Sequence, residues 1–277
     1  MIQKSYEKTK KGKLYLVPTP IGNLEDITYR ALNVLKECDI VYAEDSRETN
    51  KLLKYFEINK KVESCHKYSE MIHKDKIIDI LNSGKNIAYV TDRGTPLISD
   101  PGSVIVDEAI KNNINVIALP GPNALLPALN MSGISNQRFL FYGFLNSKKT
   151  ISKKELIDLK NIPYTLIFYE APHRIKETLE LIYEVLGNRK IALVREISKL
   201  YEEVIRDNIK KVLENCDNIK GEIVIIVEGF NGKLEENINY EILINDLVKK
   251  GYSKRDAVKE IADKYNVSKN KLYNMYK

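Results

Sequence analysis

The stretch at residues 91–102, TDRGTPLISDPG, combines residue types that suit a ligand-binding loop. Gly94 and Gly102 allow the backbone to approach a ligand closely, and the two prolines restrict the loop's conformations. The side chains that can form hydrogen bonds to a ligand belong to Asp92, Thr95, Ser99 and Asp100. The stretch therefore predicts a binding site, although a surface loop of turn residues without a ligand would have a similar composition.

Two further polar clusters follow predicted strands. One is EDSR at residues 44–47, and the other runs from Glu170 to Arg174, with Arg195 and Glu196 after a later strand. Carboxylates and histidine can act as general bases, and arginine can bind phosphate. An ion pair or a helix cap is the better explanation for any single cluster, but several clusters at one sheet edge favour a site.

Apolar, β-branched runs alternate with segments of helical periodicity through most of the chain. The predicted strands are residues 14–17, 40–43, 86–90, 115–119, 139–144, 164–169, 190–194 and 222–227. This alternation predicts an α/β fold with a parallel, doubly wound sheet, in which ligands bind beyond the carboxyl ends of the strands. Ser103 is placed to cap the helix that follows the central loop.

Breaks in this pattern predict the domain limits. We expect an N-terminal α/β domain at 1–122, a C-terminal α/β domain at 123–232 and a small, basic helical domain at 233–277. In the last of these, Ser253 and Asp256 form a capping box, and a second short helix from Lys269 would complete a helical hairpin. Its surrounding lysines and arginine predict contact with RNA, although a solvated helical cap would have the same pattern.

Composition narrows the classes of protein. The 277 residues carry a net charge of +6, which permits a polyanionic partner without requiring one. No apolar run approaches the roughly 20 residues of a membrane span, and the N-terminus lacks the apolar core of a signal peptide. Three scattered cysteines without a C-x-x-C pair predict reduced thiols and a cytoplasmic location. No complete set of zinc ligands is present, so we expect no metal site.

Several common catalytic and nucleotide-binding motifs are missing. The first predicted strand is not followed by G-x-G-x-x-G, and the chain has neither a Walker A lysine loop nor a G-x-S-x-G elbow. The polar clusters at strand ends are therefore the places where chemistry is expected.

Seven motifs along the chain resemble those of the tetrapyrrole methylase superfamily. They are VPTPIGNLEDIT (17–28), AEDSRET (43–49), TDRGTPLISDPG (91–102), LPGPNALLPAL (119–129), FLFYGFL (139–145), FYEAPHRI (168–175) and GEIVIIVEG (221–229). The resemblance covers essentially the whole chain, and it is to the branch that methylates RNA of the small ribosomal subunit. It implies two α/β domains with S-adenosylmethionine in the cleft between them, a homodimer, and 2′-O-methylation of a cytidine in the decoding region of 16S rRNA.

The resemblance also implies which residues form the donor site. They are Pro18, Asp92, Gly94, Thr95, Pro96, Pro120, Gly121, Pro122, Tyr169, Glu170, Ala171, Gly221 and Glu222. Two positions depart from the family pattern, which usually has a small residue where Arg93 and Asn123 stand. The Arg93 guanidinium could crowd the donor, pair with its carboxylate or reach an RNA phosphate.

Transfer of a methyl group to a ribose hydroxyl needs positioning and a base or a stabilising cation, because the hydroxyl is a poor nucleophile at neutral pH. The candidate bases are Asp45, Glu170 and His173. The candidate RNA-binding cations are Arg47, Arg93, Arg174, Arg195, Lys254 and Arg255. The sequence does not rank these residues, and the transfer itself requires no metal.

Two other functions stay open at this point. One is a methyltransferase of the same superfamily that acts on a tetrapyrrole; such enzymes share a Gly-rich first loop, where this chain has Pro18-Thr-Pro-Ile-Gly22. The other is a ribosome assembly factor without enzymatic activity, which would use only the basic surface. Binding of S-adenosylmethionine to the purified protein separates that factor from both enzymes.

Overall fold

The computed structural model describes residues 2–7, 9–66, 69–216, 219–232, 240–265, 268–269 and 272–273. Residues 1–230 form one compact unit, and residues 231–277 form another. No helix among these described residues is long and apolar enough to cross a membrane.

The first part of the larger unit contains a five-stranded sheet whose strands are all parallel, as the sequence predicts. Its strands, in the spatial order β3-β2-β4-β1-β5, are β1 (Lys13–Leu16), β2 (Ile40–Ala43), β3 (Val62–Ser64), β4 (Ile87–Val90) and β5 (Asn115–Ala118). The helices that follow these strands are α1 (Tyr29–Glu37), α2 (Ser46–Tyr55), α3 (Glu70–Asn82) and α4 (Ser103–Lys111).

The central strand β4 shows why this segment folds as it does. All four of its residues are buried, and alternate side chains belong to different core clusters. Ile87 and Tyr89 pack in the cluster that includes residues of α3 and α4, whereas Ala88 and Val90 pack in the cluster that includes residues of α1 and α2. A strand that is covered by helices on both faces needs apolar side chains on both faces, so its sequence is one continuous apolar run, as in β4.

The second sheet is mixed, so the prediction of parallel pairing is wrong for this half. Its spatial order is β6-β7-β10-β8-β9, and only β6 and β7 pair in parallel. The strands are β6 (Phe139–Phe144), β7 (Thr165–Glu170), β8 (Lys190–Arg195), β9 (Glu203–Asn208) and β10 (Ile223–Val227). The helices are α5 (Leu125–Ser132), α6 (Lys149–Leu159), α7 (Ile175–Leu186) and α8 (Ile209–Glu214).

The reversed direction of β10 matters for function. Its first residue, Ile223, pairs with Glu170 at the end of β7 and with Arg195 at the end of β8. The polar residues that follow β7 and β8 therefore meet the residues that precede β10 at a single edge of the sheet.

The predicted limit at 122/123 lies between the two sheets, since β5 ends at Ala118 and β6 begins at Phe139. Helix α5 belongs with the second sheet, because its Ala128 and Leu129 pack with Val194 of β8 and Val224 of β10. The division of residues 1–232 into two domains at this limit stays a prediction.

The smaller unit contains α9 (Tyr240–Lys249) and α10 (Lys254–Tyr265). Ile244 of α9 packs with Ala257, Val258 and Ile261 of α10, and the Asp256 backbone N–H donates to Ser253 Oγ at 3.1 Å, as in the predicted cap. The hairpin partner of α10 that the structure shows is α9, which the sequence prediction missed. Most of the predicted helix from Lys269 lies outside the described residues.

Candidate functional site

The central loop leaves the carboxyl end of β4 and is held firmly at both ends. At its start, Gly94 and Thr19 exchange two backbone hydrogen bonds of 2.9 Å, and Thr95 Oγ1 donates to the carbonyl of Pro122 at 2.9 Å. Gly94 has a φ of +80°, which favours glycine, and Leu97 and Ser99 also have positive φ values of 72° and 68°. Such strained non-glycine backbone persists where the surroundings enforce it, and it is frequent in ligand-binding segments.

The end of the loop is anchored by Glu70, and the prediction that Ser103 caps α4 is wrong. Gly102 occupies the N-cap position, and no side chain at that position forms a cap. Instead, the carboxylate of Glu70 accepts hydrogen bonds from the backbone N–H groups of Gly102 at 3.0 Å and Val104 at 3.2 Å. Glu70 is only 3% exposed, so a buried charge from α3 fixes the place where the loop becomes a helix.

The loop forms one wall of a cleft of about 610 Å³, which we call the carboxylate cleft. The opposite wall comes from the second sheet and includes Phe144, the residues from Tyr169 to Pro172, and the start of β10. The volume lies within the range of about 300–1,000 Å³ that is usual for pockets that bind small molecules.

Acidic side chains dominate the charges of this cleft. Among the described residues that line it, the carboxylates are Glu44, Glu48, Asp92, Asp100, Glu170 and Glu222, and the single cationic side chain is Arg93. Burial, together with the neighbouring Glu44 carboxylate, raises the pKa of Asp100 to about 6. Burial and the nearby Asp92 charge raise the pKa of Glu44, and burial raises the pKa of Asp92. This concentration of carboxylates favours a cationic ligand, because a positive charge relieves their mutual repulsion.

Nothing in the described part of the chain arranges His, Cys, Asp or Glu side chains as a cluster that would hold a metal ion.

Glu170 is the most deeply buried of these carboxylates. Its Oε1 accepts from the backbone N–H of Ala171 at 2.8 Å, and its Oε2 accepts from Thr178 Oγ1 at 2.6 Å and lies 3.7 Å from Arg174. These contacts fix the carboxylate at the end of β7, where the chain turns from the cleft wall towards α7.

An ionic connection joins the two halves of the larger unit at the mouth of the cleft. Arg93 Nη1 lies 2.6 Å from Glu222 Oε1, and Lys199 Nζ lies 3.1 Å from Glu222 Oε2 and 2.9 Å from Glu196 Oε1. Arg93 thus pairs with a residue of the protein itself. The sequence alone indicated only crowding of the donor, pairing with the donor's carboxylate and contact with an RNA phosphate.

A second cavity of about 580 Å³ lies beyond this connection. Glu48, Asp92 and Arg93 line both cavities, so these three residues form the boundary between them. The rest of its lining comes mainly from the segment after β1 and from α2.

The structure brings many of the predicted donor-site residues to the carboxylate cleft. Those that line it are Asp92, Gly94, Thr95, Tyr169, Glu170, Ala171 and Glu222, together with Arg93. Other predicted donor-site residues support this wall from behind. Pro18 is buried against Gly121, where an added Cβ would stand 2.7 Å from Pro18 Cβ, and Gly221 packs against the Glu196 side chain. Pro96, Pro120 and Pro122 are also absent from the described lining.

Some lining residues were missed by the sequence analysis. Ile21, Phe144 and Ile197 add apolar surface to the cleft, and Phe144 is 53% exposed although it ends a strand. Its position as the aromatic last residue of a predicted strand was the sequence signal that could have identified it.

The remaining candidate bases lie elsewhere. The Arg47 guanidinium holds the pKa of Asp45 at about 2, well below its usual value, and the Asp45 backbone N–H donates to Asp92 Oδ1 at 2.9 Å. His173 is exposed and lies outside the described lining of the cleft. The structure thus brings only Glu170 of the three candidates into the cleft, and the assignment of the base stays a prediction.

The candidate RNA-binding cations are spread over the surface. Arg47 pairs with Asp45, and Arg195 Nε lies 2.5 Å from Glu203 Oε2. Arg174 donates to the carbonyls of Leu145 and Asn146, at 3.4 and 3.2 Å. Lys254 and Arg255 are exposed at the start of α10. RNA contact by these residues stays a prediction.

The two sheets and the cleft where their strand ends meet define an α/β protein of the methylase class. The family profile described as Tetrapyrrole (Corrin/Porphyrin) Methylases matches residues 13–213. The crystal structure of the methyltransferase CobJ superposes with a TM-score of 0.61, covering 79% of this chain and 94% of that chain at 15% sequence identity. This structural likeness concerns the fold, and it confirms the predicted α/β architecture.

Much closer sequence relatives refine the assignment. The chain is 48% identical to ribosomal RNA small subunit methyltransferase I of Bacillus subtilis (strain 168), over 97% of this chain and 95% of that protein. It is 42% identical to the protein of the same name from Halalkalibacterium halodurans, over 99% of this chain and 98% of that protein. The chain belongs to the tetrapyrrole methylases and, within them, to the family of ribosomal RNA small subunit methyltransferases I.

Proposed function

We propose that this protein transfers a methyl group from S-adenosylmethionine to the ribose 2′-oxygen of a cytidine in the decoding region of 16S rRNA in the small ribosomal subunit. The names of the relatives support an action on ribosomal RNA, and the resemblance of the sequence motifs supports the ribose oxygen as the site.

The observation that carries the proposal is the acidic lining of the carboxylate cleft. S-adenosylmethionine has a positively charged sulfur and an ammonium group, and in the bound state it supplies an electrophilic methyl group. Six residues with carboxylate side chains and one arginine are among the described residues that line this cleft, which matches a ligand of positive charge. The backbone at Gly94 gives a close approach, and Ile21, Phe144 and Ile197 offer apolar contact for the uncharged parts of the donor.

The chain's own residues hold and orient the donor. Asp92, Asp100 and Glu44 are suited to face the cationic groups, and the strained loop keeps the backbone of Asp92 and Asp100 in place. The acceptor hydroxyl must lose its proton as the new carbon–oxygen bond forms, while the electrons of the broken carbon–sulfur bond remain on the sulfur. Glu170 belongs to the cleft lining at the end of β7, where three contacts fix its buried carboxylate, and it is our candidate for the group that orients or accepts that proton.

Alkaline hydrolysis tests the proposed site of methylation. RNA breaks in alkali because each 2′-oxygen attacks its own 3′-phosphate, so a 2′-O-methyl group protects the adjacent linkage. We expect 16S rRNA from cells that lack this protein to lose one alkali-resistant linkage at a cytidine, and purified protein with S-adenosylmethionine to restore it on small subunits. A methyl group found on a base, with the linkage still labile, would contradict the assignment.

The test needs a control for metal ions. Small subunits require magnesium to keep their shape, so the assay is run at fixed free magnesium with a chelator for transition metals. We expect full activity under these conditions.

A further inference from the structure

The second cavity differs from the carboxylate cleft in its charge. Among the described residues that line it, Lys51, Arg93 and Lys199 are cationic, and Glu48 and Asp92 are anionic. The balance of charge is therefore reversed between two neighbouring cavities that share a wall. A cavity with this balance accommodates an anion better than the carboxylate cleft does.

Lys51 is the cation of this cavity that can most readily exchange its partner. Its side chain is 72% exposed and pairs with Glu48 at 2.6 Å, whereas the Lys199 side chain is 23% exposed and pairs with Glu196 and Glu222. Ion pairs at such exposed positions contribute little to stability, so a phosphate group can replace the carboxylate partner of Lys51 with little loss. Lysine binds phosphate as a point charge, so the interaction does not require a fixed geometry.

The cavity also offers a surface for a nucleobase. The Tyr55 ring is 65% exposed and stands edge-on to Phe56, with ring centroids 4.9 Å apart and an interplanar angle of 83°. Tyr55 shares the lining with the apolar side chains of Pro20, Leu24 and Leu52. Bases of single-stranded RNA stack on exposed tyrosine rings in this way, whereas the bases of a duplex are already stacked on one another.

The location fits an acceptor site. Lys199, from the second half of the larger unit, reaches the segment after β1, where an added Cβ on Gly22 would stand 2.4 Å from Lys199 Cγ, and Ser198 hydrogen-bonds to Asp26. Residues 198–199 thus close the cavity on one side. Lys199 of this segment is also connected to Arg93, because both cations pair with Glu222. The two cavities adjoin at Glu48, Asp92 and Arg93, so a donor in the carboxylate cleft and a ribose in this cavity would meet at that boundary, where the 2′-oxygen can attack the methyl carbon directly as the carbon–sulfur bond breaks.

We infer that the second cavity is the acceptor subsite and receives one unstacked ribonucleotide of single-stranded RNA, with its phosphates near Lys51 and Lys199 and its base against Tyr55. This inference rests on the proposed function, because it assigns the acceptor to one side of the shared wall and the donor to the other.

Paired variants of the full chain test the inference. Lys51→Ala is compared with Lys54→Ala, since both lysines are exposed on α2 and Lys54 lies outside the described lining of either cavity. Tyr55→Ala is compared with Tyr55→Phe, which retains the ring, and with Tyr6→Ala, an exposed tyrosine elsewhere. Each protein is assayed with unmodified small subunits for methylation, for subunit binding at several salt concentrations, and for S-adenosylmethionine binding by calorimetry.

We expect Lys51→Ala and Tyr55→Ala to raise the KM for subunits at least about fivefold, and Lys51→Ala to lower the salt slope of binding by roughly 0.7. Tyr55→Phe, Lys54→Ala and Tyr6→Ala should stay close to the unaltered protein, and all variants should keep its affinity for S-adenosylmethionine. The inference is overturned when Lys51→Ala matches Lys54→Ala and Tyr55→Ala matches Tyr6→Ala while the unaltered protein methylates subunits.

A photocrosslink separates failure of the inference from failure of the proposed function. A benzophenone amino acid at position 55 should crosslink to one unpaired segment of 16S rRNA, and the same group at position 6 should not. This result supports the inference whether or not methylation is observed, and equal crosslinking at both positions counts against it. Failure of the unaltered protein to methylate subunits contradicts the proposed function and with it the acceptor role, whereas the crosslink still tests whether an unpaired RNA segment enters this cavity.

Discussion

At the scale of single residues, the proposed donor site depends on carboxylates that are brought together from distant parts of the chain. Glu44 follows β2, Asp92 and Asp100 belong to the loop after β4, and the two glutamates Glu170 and Glu222 come from the second sheet. Burial is the main cause of the raised pKa values of Glu44, Asp92 and Asp100, and neighbouring carboxylates add to each of them. A positive charge nearby would favour the ionised form of these groups.

Asp100→Asn should make the free protein more stable at pH 7. Because the pKa of Asp100 is raised to about 6 in the folded protein, its ionised form destabilises the fold above that pH, and this effect disappears as the pH falls towards 4. After allowance for solvent screening the gain is about 1 kcal/mol, or a few degrees in Tm. Thermal unfolding at pH 7 and pH 4 measures it, with a rise expected only at pH 7.

The same substitution should weaken donor binding several-fold at pH 7, because one of the charges that attract the donor is lost. In the unaltered protein, donor affinity should rise between pH 5 and 7 as Asp100 ionises, and Asp100→Asn should flatten that rise. Asp107→Asn, at an exposed position of α4, serves as the control. A variant that keeps the affinity and the pH profile of the unaltered protein would show that Asp100 does not face the donor.

At the scale of elements, the site depends on how each loop is fixed to the strands beside it. Gly94 illustrates this, because its backbone pairs with Thr19 while its φ of +80° excludes most side chains. An added Cβ at Gly94 would stand 3.4 Å from Ile21 Cγ2, which lines the carboxylate cleft.

Gly94→Val should therefore abolish binding of S-adenosylmethionine in calorimetry. A valine at this φ also destabilises the fold, by about 1–2 kcal/mol. Gly187→Val provides the matched control, since Gly187 has a φ of +84°, follows α7 and would place its Cβ in open space. We expect both variants to lose similar stability and only Gly94→Val to lose the donor. Normal donor affinity in Gly94→Val would remove the central loop from the donor site.

The elements also show what a sequence can and cannot reveal. Strands of the first sheet with apolar runs, such as β4, were predicted correctly. The sequence prediction missed β3, which is only three residues long, and β9, an edge strand with four charged or polar residues among six. The direction of β10 could not be read from IVIIV, because a strand buried on both faces has the same pattern in either direction.

Several predicted site residues in the loops that bear turn residues and acidic groups line the carboxylate cleft, and their role in binding stays a prediction. The pairing of Arg93 with Glu222 joins residues 129 positions apart, and the raised pKa of Asp100 reflects burial together with a carboxylate that follows a different strand. Neither follows from local sequence, because both are consequences of which strand ends meet.

At the scale of the whole molecule, the chain consists of two compact units, 1–230 and 231–277. Each has its own apolar core, and the core of the smaller unit is formed by α9, α10 and Leu272. The resemblance to the family implies a homodimer, which we keep as a proposal for the larger unit.

Deletion of residues 231–277 should leave a folded dimer that still binds S-adenosylmethionine. Methylation of small subunits should fall, because exposed cations such as Lys254 and Arg255 contribute attraction to RNA phosphates that does not depend on sequence. Light scattering, calorimetry and the methylation assay measure the three properties. Full methylation by the truncated protein would make the smaller unit dispensable for RNA recognition.

The acidic lining of the carboxylate cleft has a consequence for turnover. Transfer of the methyl group leaves the sulfur uncharged, so the product carries one positive charge fewer than S-adenosylmethionine. If the cleft holds the donor as proposed, its carboxylates attract S-adenosylmethionine more strongly than the product, and electrostatics then favours exchange of product for fresh donor after each cycle. Added salt should accordingly weaken binding of S-adenosylmethionine more than binding of S-adenosylhomocysteine. Competition measurements at low and high ionic strength would then show that the ratio of the two affinities becomes smaller as salt is added.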